Sequence, residues 1–305
     1  MARHGQKHYF AGATVVSRTT DEVKMYWSAA QRKLALNSQP VRRLSDYLGT
    51  IRAVVFCSED LQLVKGAAGI RRRFLDLLLV QTQPGYLAVL QRYAAALRSR
   101  NALLRHPRPD EASMEGFTRE LVESGAQMIR ARAELLPRVA PLVQEAYARI
   151  SNGAEALALD YARTVREDFA VELARNRARE RSMRLTVIGP HRDDLSLRLD
   201  GQPASKFASE GQKRSLAIAL KMTQAEYLSE IHGAPPILLI DDVMGELDLR
   251  RRSAFVPLLN RARSAQGQVF MTCTEENWPR ELGRGILRWE VRRGTLQALP
   301  ETSSC

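Results

Sequence analysis

Asp241 and Asp242 follow four consecutive apolar residues, Ile237-Leu238-Leu239-Ile240. A buried strand that runs into two acids places carboxylates at the carboxyl edge of a sheet, where α/β proteins bind ligands. One acid there can hold Mg²⁺, directly or through water, and its neighbour can orient or deprotonate an attacking water. Upstream, Ser209-Glu210-Gly211-Gln212-Lys213-Arg214 stands directly before an apolar helical stretch containing Leu216, Ile218, Leu220 and Met222. Ser209 reads as a helix N-cap. Gly211 removes a side chain where a ligand could approach, and the helix start offers N–H groups to a phosphate. A third segment, Gly245-Glu246-Leu247-Asp248, begins three residues after the paired acids. Each motif alone is equally a charged turn or an ordinary capped helix; the order of the three carries the argument.

The elements that must position these residues alternate in type along the chain. Residues 13–43 come in short apolar bursts separated by turn-prone residues and predict antiparallel β-structure. Ala53–Phe56 is a strand, with a loop after it at Cys57–Asp60. From Arg71 the spacing of Phe74, Leu75, Leu78 and Leu79 predicts helix, and Tyr86, Leu90, Tyr93 and Leu97 continue it after Pro84-Gly85. Two long helices are expected over 114–136 and 139–181, with no strand between them. Strand–helix–strand alternation returns from Leu185: a strand at 185–188, a hairpin around Asp200-Gly201, a helix over 212–231, a fully buried strand at 237–240, a helix at 249–263 and a strand at 268–272. The expected division is 1–80, a β-rich part of one head; 81–182, an all-helical arm; and 183–305, the rest of the head.

The chain has 305 residues, 45% hydrophobic and 26% charged, enough for a sizeable core, with no apolar run of membrane-spanning length. The polar start has no secretory pattern, and the three scattered cysteines, Cys57, Cys273 and Cys305, suit a reducing compartment. A cytoplasmic location is expected. The formal net charge is +12, and residues 1–84 contribute 13 Lys and Arg against 6 Asp and Glu. Such a balance favours a polyanionic partner, nucleic acid first.

Ser-x-Gly-Gln at a helix start, then an apolar strand into paired acids, then Gly-Glu-Leu-Asp resembles ABC-type ATPase heads. Gly189-Pro190-His191-Arg192-Asp193-Asp194-Leu195 resembles a hallmark of the RecF family of bacterial replication and recombination-repair ATPases. The segments 36–45, 55–61, 71–76 and 267–274 are similar to the same family, and the likeness runs from about residue 5 to about 290. The implied fold is α/β, a P-loop NTPase-like ABC-ATPase head with an inserted all-helical arm.

The resemblance implies a role for each site residue. Asp241 is the Mg²⁺-associated acid. Asp242 is the catalytic residue, in the place where many relatives carry glutamate; being one methylene shorter, it is expected to act through water. Ser209, Gly211 and Gln212 contact ATP held by a second subunit, Asp248 organises the dimer interface, and Thr272 takes the switch position. The family's phosphate loop, G-x-x-x-x-G-K-[ST], has no match in the 305 residues. The chain is accordingly expected to begin after the first strand–loop–helix unit, with an internal codon taken as the start favoured over a gene fragment or a natural variant. Weak intrinsic ATP binding, an open sheet face and lowered stability or oligomerisation are expected with it.

By the same resemblance the partners are gapped or single-strand/double-strand DNA junctions, RecR and RecO, and an ATP-dependent homodimer acting in RecA loading, recombinational repair and the SOS response. Arg71-Arg72-Arg73 are the candidate phosphate contacts, with Arg42-Arg43 nearby. Arg175, Arg177, Arg179 and Arg181 lie among Glu167, Asp168, Glu172 and Glu180, so that cluster is expected to be partly self-neutralised. No sequence-reading module is present in the pattern, which predicts DNA binding directed by structure. A nucleotide-independent DNA-binding scaffold is the alternative. An SMC-type head is the weaker one, for lack of long heptad repeats.

Overall fold

The computed structural model describes residues 4–16, 20–42, 47, 49–108, 110–243, 245, 247–265, 267–274 and 286–299, with the side chains of Arg250 and Arg263 left aside. Arg43, Leu44, Ser45, Glu246 and Cys305 lie outside the described residues. Four strands, β1 (His8–Val16), β2 (Thr20–Ser28), β3 (Arg32–Leu36) and β4 (Gln39–Pro40), form an antiparallel meander, with Tyr9 stacked on Trp27 at 5.4 Å. β5 (Ala53–Phe56) then enters a separate sheet. In place of the expected loop, a 3₁₀ turn (Ser58–Leu61) and a short helix α1 (Gln62–Lys65) follow it.

The helical stretch comprises α2 (Ala68–Thr82), α3 (Tyr86–Arg105) and α4 (Glu111–Ser151). α4 is a single 41-residue helix where two were expected, and it passes through Pro137 and Pro141. Its buried face, including Leu135, Leu136, Val139, Val143 and Tyr147, continues across both prolines and holds the helix in line. The second expected helix gives way to β6 (Leu157–Ala162), α5 (Phe169–Arg175) and α6 (Arg177–Met183). β6 corrects the all-helical reading of 81–182. It pairs antiparallel with β7 (Asp194–Leu199), because Leu157 and Leu159 are buried on one side and the residues between them are exposed. β8 (Gln202–Pro203) completes the hairpin through Asp200 and Gly201, both at positive φ as a tight primed turn requires.

The strand expected at 185–188 does not form. Its N–H groups go elsewhere: Leu185 N–H donates to the Glu180 carbonyl at 3.3 Å, Thr186 N–H to Asn101 Oδ1 at 2.8 Å and Val187 N–H to Glu180 Oε1 at 3.4 Å, and just beyond it Gly189 N–H donates to Thr164 Oγ1 at 3.0 Å. A ladder would have needed those same donors. Two buried ion pairs support this segment. Arg100 grips Glu180 through both Nη atoms (3.0 and 2.6 Å) and reaches Thr186 Oγ1. Arg132, 1% exposed, grips Asp76 at 3.0 and 2.9 Å and donates to the Pro190 carbonyl at 2.7 Å. His191 Nε2 faces the Thr186 carbonyl, so it carries the proton and Nδ1 accepts from the Tyr93 hydroxyl at 2.6 Å. Gly189 sits at φ +124, where a Cβ would lie 2.7 Å from the Tyr93 oxygen. Only glycine fits there.

After α7 (Ala204–Phe207), α8 (Glu210–His232) crosses the core and leads to β9 (Ile237–Asp241), α9 (Leu249–Ser264) and β10 (Val269–Thr272). The sheet order is β10-β9-β5, all parallel, as strand–helix–strand logic requires. β9 is not buried throughout, as expected, but alternates. Val54 and Leu238, then Phe56 and Ile240, lie in register under the helices, Phe56 meeting Phe255 edge-on at 5.0 Å. The intervening row, Val55-Leu239-Phe270, faces outward, with Val55 43% and Phe270 57% exposed. A last hairpin, β11 (Trp289–Arg292) and β12 (Thr295–Ala298), closes the described chain.

Removing one partner of a buried ion pair costs about 3–5 kcal/mol because the other charge is stranded. Arg132→Met should therefore lower urea-unfolding stability by about that amount, and a loss under about 1 kcal/mol would show that the pair is dispensable. A second expectation concerns pH. Burial, against the Thr186 carbonyl's opposing pull, lowers the His191 pKa to about 4 from 6.5. The unfolded chain then binds this proton more readily, so stability falls as pH drops from about 6.5 to about 4. His191→Gln should flatten that part of the stability–pH curve, and an unchanged slope would assign it elsewhere.

Candidate functional site

Two groups of the expected residues are built, on different elements. The first surrounds the start of α8. Ser209 accepts from Gln212 N–H at 3.2 Å while Gln212 Oε1 accepts from Ser209 N–H at 2.6 Å, a reciprocal capping box. The other end of the Gln212 amide donates to Glu155 Oε1 at 2.8 Å, and Glu155 Oε2 takes the hydroxyl of buried Tyr147 at 3.1 Å. Glu210, exposed, is neutralised by Lys65 (2.5 Å) and Lys213 (3.6 Å). Arg251 joins this helix start to Asp248. It pairs with Asp248, which also caps α9 by accepting from Arg251 N–H at 2.9 Å, and its Nε donates to Ser215 Oγ at 2.9 Å. A Cβ on Gly211 would lie 2.7 Å from an Arg251 Nη atom. The glycine thus makes room for this arginine.

The second group lies at the carboxyl ends of β9 and β10. Thr272 Oγ1 donates to Asp241 Oδ1 at 2.7 Å and accepts from Asp242 N–H at 3.1 Å, so one hydroxyl ties the Asp241 carboxylate to the Asp242 backbone. Asp242 adopts φ +52 and its side chain is exposed. Next to it, burial and then the charge of Asp242 push the Cys273 thiol upward. The carboxylates of Asp241 and Asp242 and the Thr272 hydroxyl are hard oxygen donors of the kind Mg²⁺ takes. Among the described residues no cluster of three or more His, Cys, Asp or Glu could hold a metal, so an ion here would need ligand or water oxygens as well. The Glu59–Asp60 turn lies elsewhere. Asp60 pairs with Lys221 at 3.5 Å beside a cavity of about 40 Å³, far below the ~300–1,000 Å³ of ligand sites.

The three candidate arginines separate. Arg71 is spent on Asp194 (2.7 and 2.8 Å) and on the carbonyls of Gly66 and Leu63, and Arg72 on the Asp193 carbonyl at 2.7 Å. Both face inward because the 189–194 segment supplies acceptors, and Arg73 alone is exposed. In the later cluster, Arg175 pairs with Glu167, and Arg177 and Arg181 with Glu111. Glu155, Tyr147, Ser215 and Arg251 were not foreseen. The Asp248-x-x-Arg251 spacing was a usable helix-start signal; Glu155 had none.

No family model matches the chain. It is 38% identical over 312 residues to the DNA replication and repair protein RecF of Symbiobacterium thermophilum, across 97% of this chain and 82% of that one. It is 37% identical over 280 residues to RecF of Rippkaea orientalis, across 84% and 72%. Among solved structures, the recombination mediator protein RecF with ATP in the RecFOR pathway superposes with a TM-score of 0.83 at 23% identity, covering 97% of this chain and 81% of that one. An Smc head domain from Pyrococcus furiosus, bound to the C-terminal domain of ScpA, gives 0.54 at 13% identity, covering 96% and 77%. These two likenesses speak for the fold, a mixed α/β ATPase head with helical regions.

The Gly211–Arg251 contact yields a test. Gly211→Ala should cost about 1 kcal/mol by driving the guanidinium off Ser215. In an Arg251→Ala background the same change should be neutral or stabilising, since alanine is the better helix residue. Equal costs in both backgrounds, measured by urea unfolding, would remove Arg251 from the explanation.

Proposed function

The chain belongs to the RecF family of DNA replication and repair proteins, and from that premise we propose that it serves as a recombination mediator binding gapped or single-strand/double-strand DNA junctions. The observation that carries the reading is the coupling of the α8 start to the Asp248 turn through Arg251 and Ser215. Two motifs that would face a second subunit are thereby held as one rigid surface. RecR and RecO are the expected partners, a reading supported by a structural neighbour described within the RecFOR pathway. Loading of RecA and a role in the SOS response follow as expectations of the same kind. A cytoplasmic location suits such work, and among the described residues no helix is long and apolar enough to cross a membrane.

For nucleotide chemistry the residues divide the work. Asp241, fixed by Thr272, would hold Mg²⁺; Asp242 would orient a water through its exposed carboxylate; Ser209, Gly211 and Gln212 would present the α8 N–H groups to a phosphate on a second copy. Asp248 would sit in the dimer interface. Bound Mg²⁺ would supply the charge that neutralises the phosphates. The 305 residues hold no G-x-x-x-x-G-K-[ST] loop, and this favours a second reading in which DNA binding proceeds without nucleotide. Titration calorimetry of MgATP, with and without gapped DNA, separates the two. Mg²⁺-dependent micromolar binding supports the ATP-coupled clamp. Salt-sensitive DNA binding with no ATP heat supports the scaffold, and failure to bind DNA at all overturns both.

DNA contact is further testable at the arginine trio. Each phosphate contact contributes about one to the slope of log K against log salt. Arg73→Ala should reduce that slope by about one while leaving the melt unchanged. Arg71→Ala should instead lower the melting temperature, because Asp194 loses its partner. The reverse pattern would restore Arg71 as a DNA contact.

A further inference from the structure

β6 is an edge strand: in the sheet order β6-β7-β8 it has a neighbour on one side only. The hydrogen-bonding parity of that edge is readable. Ala156 pairs with Asp200, whose N–H donates to the Ala156 carbonyl, so in the antiparallel ladder residues 156, 158, 160 and 162 turn their peptide groups toward β7. Leu157, Leu159 and Tyr161 turn theirs outward. The Leu157 carbonyl is already taken by Gln144 Nε2 at 2.9 Å. Leu159 and Tyr161 line a groove of about 400 Å³ between β6 and the middle of α4, together with Ala133, Leu136, Pro137, Ala140 and Arg163.

Both walls of this groove offer backbone. Pro137 and Pro141 lie inside α4 and have no N–H, so the carbonyls of Ala133 and Pro137 lose their helical donors, and both residues line the groove. The floor is apolar and its α4 side is shallow, with alanine at 133 and 140. The charge is lopsided. Arg163 at one end is exposed and has no ion-pair partner among the described residues. Arg130, one turn before Ala133, and Arg138 are also exposed. Glu134 is the one carboxylate among residues 130–141, and Asp160 points to the other face of β6.

We propose that this groove receives an extended acidic peptide segment of a partner protein, which adds a strand to the open edge of β6. Its backbone pairs with Leu159 and Tyr161, alternate apolar side chains enter the groove over Ala133 and Ala140, and a carboxylate meets Arg163. Strand addition sets orientation through main-chain bonds, and the arginines select for negative charge. The proposal is independent of the nucleotide question and of DNA binding by Arg73.

The probe is a fluorescein-labelled eight-residue peptide alternating glutamate with valine or leucine, with a glutamine-for-glutamate version as control. Binding to the full chain is read by anisotropy at low salt. The expected result is binding in the tens of micromolar range, weakened at least tenfold by Arg163→Glu, by Ala133→Trp and by the glutamine control. Amide exchange at Leu159 and Tyr161 should slow when the peptide is bound. Both substitutions are at solvent-facing or half-buried positions, and an unchanged melt certifies each variant. No binding, binding indifferent to both variants, or unprotected amides would overturn the proposal. So would competitive displacement by a single-stranded oligonucleotide that needs Arg163 equally, since that would assign the groove to nucleic acid.

Discussion

The guanidinium of Arg132 lies almost wholly buried where α2, α4 and the 189–194 segment meet, and the geometry of the whole helical stretch depends on how it is satisfied. An unpaired charge at that depth would be prohibitive, so Asp76 and the Pro190 carbonyl must both be in place before the core can close. An apolar interface alone would tolerate sliding of α4 along its neighbours. The bidentate grip on Asp76, itself bonded by the Tyr86 hydroxyl at 2.7 Å, allows one register. Arg71 and Arg72 then anchor the following acids, Asp194 and Asp193, onto α2. The 189–194 segment is thus an internal fastening between helices and the β6-β7-β8 sheet.

This fastening reaches the candidate site through α4. Near the carboxyl end of that helix, Tyr147 holds Glu155, and Glu155 holds the amide of Gln212 at the start of α8. From there Ser215 and Arg251 carry the chain of contacts to Asp248. The residues that would face a second subunit are therefore positioned by the helical stretch and by α9 together. Asp241, Asp242 and Thr272 are positioned separately, by the parallel pairing of β9 and β10, in which Thr272 stands opposite Asp241. Two rigid surfaces result, one built on helix starts and the other on strand ends.

Much of this was readable from local signals. The Ser209 N-cap, the Asp200-Gly201 turn and the apolar run into Asp241 each combine residue type with position, and each forms where expected. The misses share a cause: a partner distant in sequence took over a local preference. Leu185–Ile188 has strand composition, but Glu180 and Asn101 claim the N–H groups of Leu185, Thr186 and Val187. Leu157–Ala162 carries two alanines and sits between helices, so its alternation was weak until β7 supplied a ladder. Arg71 and Arg72 read as a phosphate-binding run, and the groups they bond in the fold, the Asp194 carboxylate and the Asp193 carbonyl, lie about 120 residues away. Composition measures charge, and it does not reveal which charges are already matched.

Asp242 shows how backbone and chemistry constrain each other at one position. At φ +52 the left-handed conformation is tolerated by aspartate, whose short polar side chain can bond locally, better than by glutamate. That backbone is what lets the Asp242 N–H reach the Thr272 hydroxyl, and the same hydroxyl donates to Asp241. Lengthening the side chain would therefore trade reach toward a water against the turn that orders both acids. The shorter residue keeps the turn. A catalytic role at this position would then have to work through a water placed by the exposed carboxylate, on a backbone that Thr272 holds.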